Sequence, residues 1–180
     1  NEFNHTPLMA AVWVGNAEFY QQLLQDGADA QLIDSHHLNV FQIALKRSVL
    51  SQKNISNFAE LIPNLEQNSL VLQINHRLFK LESNQPEYLI VQLMYVMSLI
   101  HGYQRYVWLE KAFDSTLLLE YLQRLPEHIF DKKRQKRTYI SSLFSKNEVC
   151  SSDKYNKQLF KRVGRGQYML NPELVMKING

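Results

Sequence analysis

The sequence is poor in cysteine, glycine and proline, with one, six and five of them among 180 residues. A single cysteine excludes a disulfide framework and a four-cysteine zinc site, and it is typical of a reducing compartment. No run of about 18 apolar residues occurs and no signal peptide is recognisable, so we expect a cytoplasmic protein without a membrane-spanning helix. Since 45% of the residues are hydrophobic, disordered and collagen-like classes are excluded. The length predicts one domain or two small ones.

The motifs that usually carry catalysis are also missing. The sequence contains no GxGxxG, P-loop or HExxH pattern. Cys150 stands in the string NEVCSS, which has no nucleophile signature and no oxyanion-binding device. The pair His36-His37 has no carboxylate or cysteine at the spacing of a metal site. We therefore predict a protein that is not an enzyme and that uses no cofactor and no metal ion.

Charge is distributed unevenly along the chain. Residues 1–130 contain eight Lys/Arg and thirteen Asp/Glu, whereas residues 131–180 contain twelve and four. The net charges of the two parts are therefore −5 and +8, which agree with the +3 of the whole chain. An acidic body followed by a basic end indicates two modules with different partners, although a solvated basic face on an ordinary domain gives the same count.

The first third of the chain contains an internal repeat with a period of 33 residues. The tripeptide TPL at 6–8 corresponds to NVF at 39–41, and Ala11 corresponds to Ala44. The first copy resembles the ankyrin repeat, whose period is about 33 residues and whose signature contains T-P-L-H-x-A. The resemblance implies a pair of helices in each copy, with a turn at Gly15-Asn16 in the first.

Both copies depart from the ankyrin signature. Met9 and Gln42 occupy the position of its usual histidine, and Asn4 and His37 occupy that of its turn glycine. Asparagine and histidine are among the few non-glycine residues that tolerate the left-handed region. The second copy then loses the repeat pattern, so we place one clear repeat and one degenerate repeat within residues 1–62.

The repeat gives specific structural expectations. We expect Gly27 to follow the second helix with a positive φ. Small residues should be buried where helices touch, and these are Ala10, Ala11 and Ala44. The second helix should carry an apolar stripe formed by Phe19, Leu23 and Leu24.

Ankyrin stacks bind other proteins through their hairpin tips and their concave helix face, because those side chains vary while the stack stays rigid. The resemblance therefore implies a protein partner. The tip residues that we expect to contact it are Phe3, Asn4, His5, His36 and His37.

Residues 63–130 are predicted to form a helical core. Apolar side chains in residues 68–83 alternate around Asn75-His76, which fits two short strands, but their spacing also fits one helix. The run EYLIVQLMYVMSLI at 87–100 is apolar nearly all round and predicts a buried helix. RYVWLEKAF at 105–113 and STLLLEYLQRL at 115–125 predict two amphipathic helices.

Residues 131–180 are predicted to form a small basic unit. The string KKRQKRTYISSLFSK at 132–146 predicts a helix with a basic entrance. A second helix is expected near residues 152–163, where Tyr155, Leu159 and Val163 are spaced by four and should be buried. Residues 167–170 and 174–178 should pair as a hairpin across the turn Asn171-Pro172.

Two helices followed by a hairpin, with the string FKRVGRGQYMLNPEL, resemble the winged helix-turn-helix of bacterial proteins, including some plasmid replication initiators. The resemblance implies that the second helix enters a DNA major groove and that the wing contacts phosphates or the minor groove. The residues that would bind nucleic acid are Lys154, Lys157, Gln158, Lys161, Arg162 and Arg165.

Together these patterns predict a mainly α fold. It consists of an ankyrin-type helical stack (1–62), a helical core (63–130) and a basic winged-helix-like segment with a β-hairpin (131–180). The first functional hypothesis is a non-enzymatic protein-interaction module that serves as an adaptor, a scaffold or the targeting part of a bacterial effector delivered into a host cell. The alternative is a DNA-binding regulator or replication accessory protein that uses the basic C-terminal segment.

Overall fold

The structure is a computed structural model that describes residues 4–50, 52–65, 69–100 and 112–177. The chain separates into two compact units, with the division between residues 68 and 69. Over the described residues, helices account for 47% and strands for 18%, and the strands form two small three-stranded antiparallel sheets. The expectation of a mainly α fold is therefore wrong. Strands of two to six residues are too short for their periodicity to be told from that of a helix.

The first unit is built from helices and turns. Its described helices are α1 (Pro7–Val14), α2 (Ala17–Gln25), α3 (Val40–Leu50) and α4 (Gln52–Leu65). α1 contacts α2 and α3, and α4 contacts α3 and α2. The four helices therefore form two adjoining pairs.

The first helix of each pair begins with the same local hydrogen bonds, 33 residues apart. The Thr6 hydroxyl accepts from the amide of Met9 at 3.3 Å, and the Asn39 side chain accepts from the amide of Gln42 at 2.9 Å. In return, the side chains of Met9 and Gln42 accept from the backbone amides of Thr6 and Asn39. Each capping box satisfies amides that a helix start leaves without partners.

The 33-residue spacing also recurs in backbone conformation and burial. Asn4 and His37 both adopt the left-handed region, with φ of 55° and 61°. Ala11 and Ala44 are each 3% exposed, which confirms their expected burial. Gly27 has a φ of 87°, so the prediction for this glycine is also confirmed.

Two expectations about the first pair are wrong. Ala10 is exposed, because one position along a helix turns a side chain by about 100° away from the contact made by Ala11. On α2, Tyr20 is fully buried, whereas Phe19 is 48% exposed. Leu23 and Leu24 are half-buried. The apolar face of α2 is therefore rotated by about one residue from the predicted stripe.

The second unit combines helices with both sheets. Its elements are β1 (Ser69–Ile74), β2 (Arg77–Glu82), α5 (Pro86–Ser98), β3 (Phe113–Asp114), α6 (Ser115–Leu122), a 3₁₀ turn (Lys132–Arg134), α7 (Arg137–Lys146), β4 (Phe160–Gly164), β5 (Gln167–Leu170) and β6 (Leu174–Lys177). α5 is buried on nearly every side, as its apolar sequence predicts. α6 and α7 confirm the helices expected from STLLLEYLQRL and KKRQKRTYISSLFSK. The helix expected at 105–113 lies mostly outside the described residues.

Residues 69–82 form two strands rather than a helix. Leu70, Leu72 and Ile74 are buried on alternate positions of β1, and the residues between them are half-buried. The chain turns at Asn75, whose φ is 52°. β1 then pairs with β2 on one side and with β6 on the other.

The second sheet has the order β3-β5-β4. β4 and β5 form a hairpin that turns at Gly166, whose φ is 71°. The predicted hairpin between residues 167–170 and 174–178 is therefore wrong, since β6 pairs with β1 instead. The sheet order explains the difference, because β4 and β3 already pair with the two sides of β5. Both sheets thus contain strands from either side of residue 131.

The helix predicted at 152–163 is absent. Tyr155 is 77% exposed, and Leu159 is buried at the entrance to β4. The Asp153 side chain accepts from the amide of Tyr155, and the Asn156 side chain donates to the carbonyls of Glu148 and Ser151. Such side-chain-to-backbone bonds compete with helical hydrogen bonds and favour turns.

The neighbouring alanines of α1 provide a matched pair for testing the helix contact. We predict that Ala11→Leu lowers the free energy of unfolding by about 1–3 kcal/mol, because added methylenes overpack a filled contact. Ala10→Leu should change it by no more than about 0.5 kcal/mol, because the site is exposed. Urea unfolding of both variants measures the difference. Equal stabilities would contradict the assigned α1 contact.

Tyr20 predicts alkaline sensitivity. Burial raises its pKa to about 12, and its hydroxyl donates to the carbonyl of Asn64 at 3.3 Å. The unfolded chain ionises this phenol near pH 10, so the stability due to Tyr20 is complete below pH 10 and is lost as pH rises to about 12. The loss approaches about 1.4 kcal/mol per pH unit. Urea unfolding from pH 9 to 11.5 should show a shallower decline for Tyr20→Phe, and identical declines would refute this assignment.

Candidate functional site

The buried carboxylate of Asp34 organises the turn that leads into α3. Its Oδ1 accepts from the amides of His36 and Leu38, both at 2.8 Å. Its Oδ2 lies 3.3 Å from Nε2 of His5 and 3.8 Å from Nδ1 of His36. A buried carboxylate is costly unless it is hydrogen-bonded, so these contacts fix the turn and place His5 against it.

A cavity of about 200 Å³ opens beside this cluster. Leu38 and Ile43 give it an apolar interior, and both are buried. Trp13 of α1 lies at its side, with its ring centroid 6.3 Å from that of His5. Lys46 of α3 also lines the cavity and is half-buried.

The predicted tip residues are partly brought together. Phe3 lies outside the described residues. Asn4, His36 and His37 are exposed, whereas His5 is half-buried beside Asp34. Sequence reasoning missed the role of this aspartate, which an Asx turn pattern could have indicated, since an Asp side chain commonly accepts from the amide two residues on.

Helix α7 has one apolar face and one polar face. Ile140, Leu143 and Phe144 are buried. The exposed positions carry hydroxyl or cationic side chains and no carboxylate, and they are Arg137, Thr138, Ser142, Ser145 and Lys146. A solvated helix face would ordinarily mix both charge signs, so this one is unusually favourable to an anionic surface.

Cations also precede α7. Lys132, Lys133 and Lys136 are exposed, and Arg134 is half-buried. Lys136 is the N-cap residue and makes no side-chain capping bond. The basic run therefore lies at the end of α7 where the helix dipole is positive, which favours an anion.

The basic residues predicted to bind nucleic acid divide into two groups. Lys154, Lys161 and Arg165 are exposed, and Arg165 lies in the turn of the β4–β5 hairpin. Lys157 is held by protein contacts instead, since its ammonium lies 3.1 Å from a carboxylate oxygen of Glu87.

Arg162 and Gln158 are likewise engaged within the protein. Arg162 pairs with Glu148 at 2.8 Å and lies over the ring of Tyr168. The carbonyl of Gln158 accepts from Asn171, although the Gln158 side chain is exposed. The structure therefore does not bring the six residues together as one helix face.

Aromatic rings join α7 to the second sheet. Phe144 meets Phe160 edge-on at 4.8 Å between centroids and stacks on Tyr168 at 4.7 Å. The Tyr168 hydroxyl also lies 3.3 Å from the hydroxyl of Ser145. The polar face of α7 and the β4–β5 hairpin are thus held in one framework.

The remaining candidate groups are isolated. Cys150 is exposed at the edge of a cavity of about 330 Å³ that includes Lys161. Within the described ranges, no three His, Cys, Asp or Glu side chains are grouped to hold a metal ion. None of the described helices is long and apolar enough to cross a membrane.

Comparison with known proteins gives no relative for this chain: no family model, no curated protein and no solved structure matches it.

Proposed function

We propose that the second unit binds duplex DNA, with α7 in the major groove and the β4–β5 hairpin beside it. The observation that carries the proposal is the order α5, β3, α6, α7, β4, β5, with β5 between β3 and β4. This order resembles that of winged helix-turn-helix proteins, in which a recognition helix contacts base edges. The helix in that position is α7, which replaces the segment 152–163 of the sequence-based hypothesis.

The surface of α7 supports this role chemically. The hydroxyls of Thr138 and Ser142 can donate and accept, as base edges in the major groove require, whereas the Ser145 hydroxyl lies against that of Tyr168. Arg137 and the basic run before it add positive charge at the end of α7 where the helix dipole is already positive. A phosphate at this end would pair with the cations and with the dipole together.

The β4–β5 hairpin supplies further cations. Lys161 and Arg165 are exposed there, and backbone phosphates are the groups that exposed Lys and Arg most often contact in DNA complexes. Lys157 is excluded from this set because it pairs with Glu87. The proposed contact surface therefore consists of α7, the basic run that precedes it and the turn of the β4–β5 hairpin.

We predict that Arg137→Gln and Arg165→Gln each weaken duplex binding equally for all sequences. Phosphate contacts release counterions, so each variant should reduce the slope of log K against log salt by about 1. Fluorescence anisotropy with several unrelated duplexes, at about 50 to 200 mM salt, measures both effects.

The matched control is Lys53→Gln, which makes the same charge change at an exposed position of α4 in the first unit. It should leave affinity and slope unchanged. The proposal fails if the unaltered protein does not bind at about 50 mM salt, or if Lys53→Gln weakens binding as much as the two arginine variants do.

A second candidate function, protein docking by the first unit, is supported by a separate observation. The capping boxes, left-handed turn residues and buried alanines recur at a spacing of 33 residues. This recurrence favours the ankyrin resemblance, and ankyrin stacks present their turns to protein partners. The exposed turn residues Asn4, His36 and His37 are the proposed contacts.

We predict that a photo-crosslinking amino acid at position 36 captures a discrete partner in the native cell. The same group at position 21, which is exposed on α2, should not capture it. Combining the crosslinker at 36 with Asp34→Ala should abolish capture, because the carboxylate that fixes the turn is lost. The readout is the crosslinked band on a gel. A band of equal strength at both positions would argue against docking by the turns.

A further inference from the structure

The cavity of the first unit has the size and lining of a side-chain pocket. Its volume of about 200 Å³ is below the range of about 300–1,000 Å³ typical of drug-sized ligands. Leu38 and Ile43 form an apolar interior, and Trp13, which is 42% exposed, offers a ring at the side. A large apolar side chain inserted here would remove its own surface and that of the Trp13 ring from water, because Leu38 and Ile43 are already buried.

The charged groups at the cavity are not equivalent. Both carboxylate oxygens of Asp34 have partners, which are backbone amides of the turn and the side chain of His5. Asp34 is therefore not available to bind a cationic ligand. Lys46 differs, because its ammonium forms no ion pair with any carboxylate in the described part of the chain. A carboxylate on the ligand is the group that complements Lys46.

We propose that this cavity binds a segment of a partner protein in which a large apolar side chain is flanked by Asp or Glu. The apolar side chain fills the space beside Trp13, and the neighbouring carboxylate pairs with Lys46. The inference rests on the proposed protein-docking function of the first unit and specifies the chemistry of its partner.

The test uses capped five-residue peptides and the full chain labelled with ¹⁵N. One peptide has a central Phe flanked by two Asp, a second has Lys in place of both Asp, and a third has Ala in place of Phe. The signal is the indole N–H of Trp13, which a Trp13→Phe variant distinguishes from the other tryptophan of the sequence.

The acidic Phe peptide should shift the Trp13 signal in a saturable way. Replacing Phe with Ala should weaken binding about tenfold or more. Lys46→Gln should weaken it about two- to fivefold, the range of an exposed ion pair. Lys46→Glu should reverse the preference, so that the Lys-flanked peptide binds better than the acidic one.

Lys53→Glu is the matched control, since it changes the charge of the same unit by the same amount at an exposed position of α4 that does not line the cavity, and it should leave the preference unchanged. The proposal is overturned if the acidic peptide gives no saturable shift, or if Lys46→Glu keeps the original order of affinities. Variants whose ¹H–¹⁵N spectra lose dispersion are replaced by Lys46→Ala, for which a two- to fivefold loss is again expected.

Failure of this proposal is distinguishable from failure of protein docking itself. A discrete partner crosslinked at position 36, together with no peptide binding, would retain docking and exclude the cavity as its anchor. Absence of both would remove the docking function as well.

Discussion

The packing of Phe144 against the second sheet is the interaction on which the second unit depends. Its ring stacks on Tyr168 of β5 and meets Phe160 of β4 edge-on. Such ring pairs contribute about 0.5–1.5 kcal/mol each beyond their buried area. Because Phe144 fixes one face of α7, the opposite face, with Thr138 and Ser142, is held outward. The DNA contact proposed for α7 therefore depends on an apolar contact on the other side of the helix.

The first unit relies on a different kind of constraint. Its connecting turn is organised by the buried carboxylate of Asp34, which accepts from two backbone amides and lies against His5. This arrangement uses the negative charge internally and leaves Lys46 as the charged group at the cavity. Asp34 therefore has a structural role, whereas Lys46 is the group assigned to the ligand in the proposal above.

Sequence reasoning succeeded where the determinants are local. The left-handed Gly27 depends on the residues at the end of α2, and the 33-residue spacing identified the buried Ala11 and Ala44. It failed at residues 152–163, because the spacing of apolar side chains matched a helix while Asp153 and Asn156 favoured turns.

The candidate sites show the same limit. His5 and His36 were predicted as tip residues, but their meeting at Asp34 depends on how the turn folds. Lys157 was expected to face DNA, and its partner Glu87 lies 70 positions earlier in the chain. The pairing of β6 with β1 is equally remote, and no local pattern predicts it.

That pairing has a consequence for how the protein is made. Ile74 of β1 pairs with Leu174 of β6, 100 positions further along. At about 5–20 residues per second, a ribosome delivers β6 roughly 5–20 s after β1. β2 can pair with one side of β1 as soon as it is made. The amides and carbonyls on the other side of β1 stay unpaired until β6 is made. An unpaired strand edge is a template for association with other chains. The second unit is therefore a late-closing fold, and its nascent form keeps an unpaired strand edge until β6 emerges.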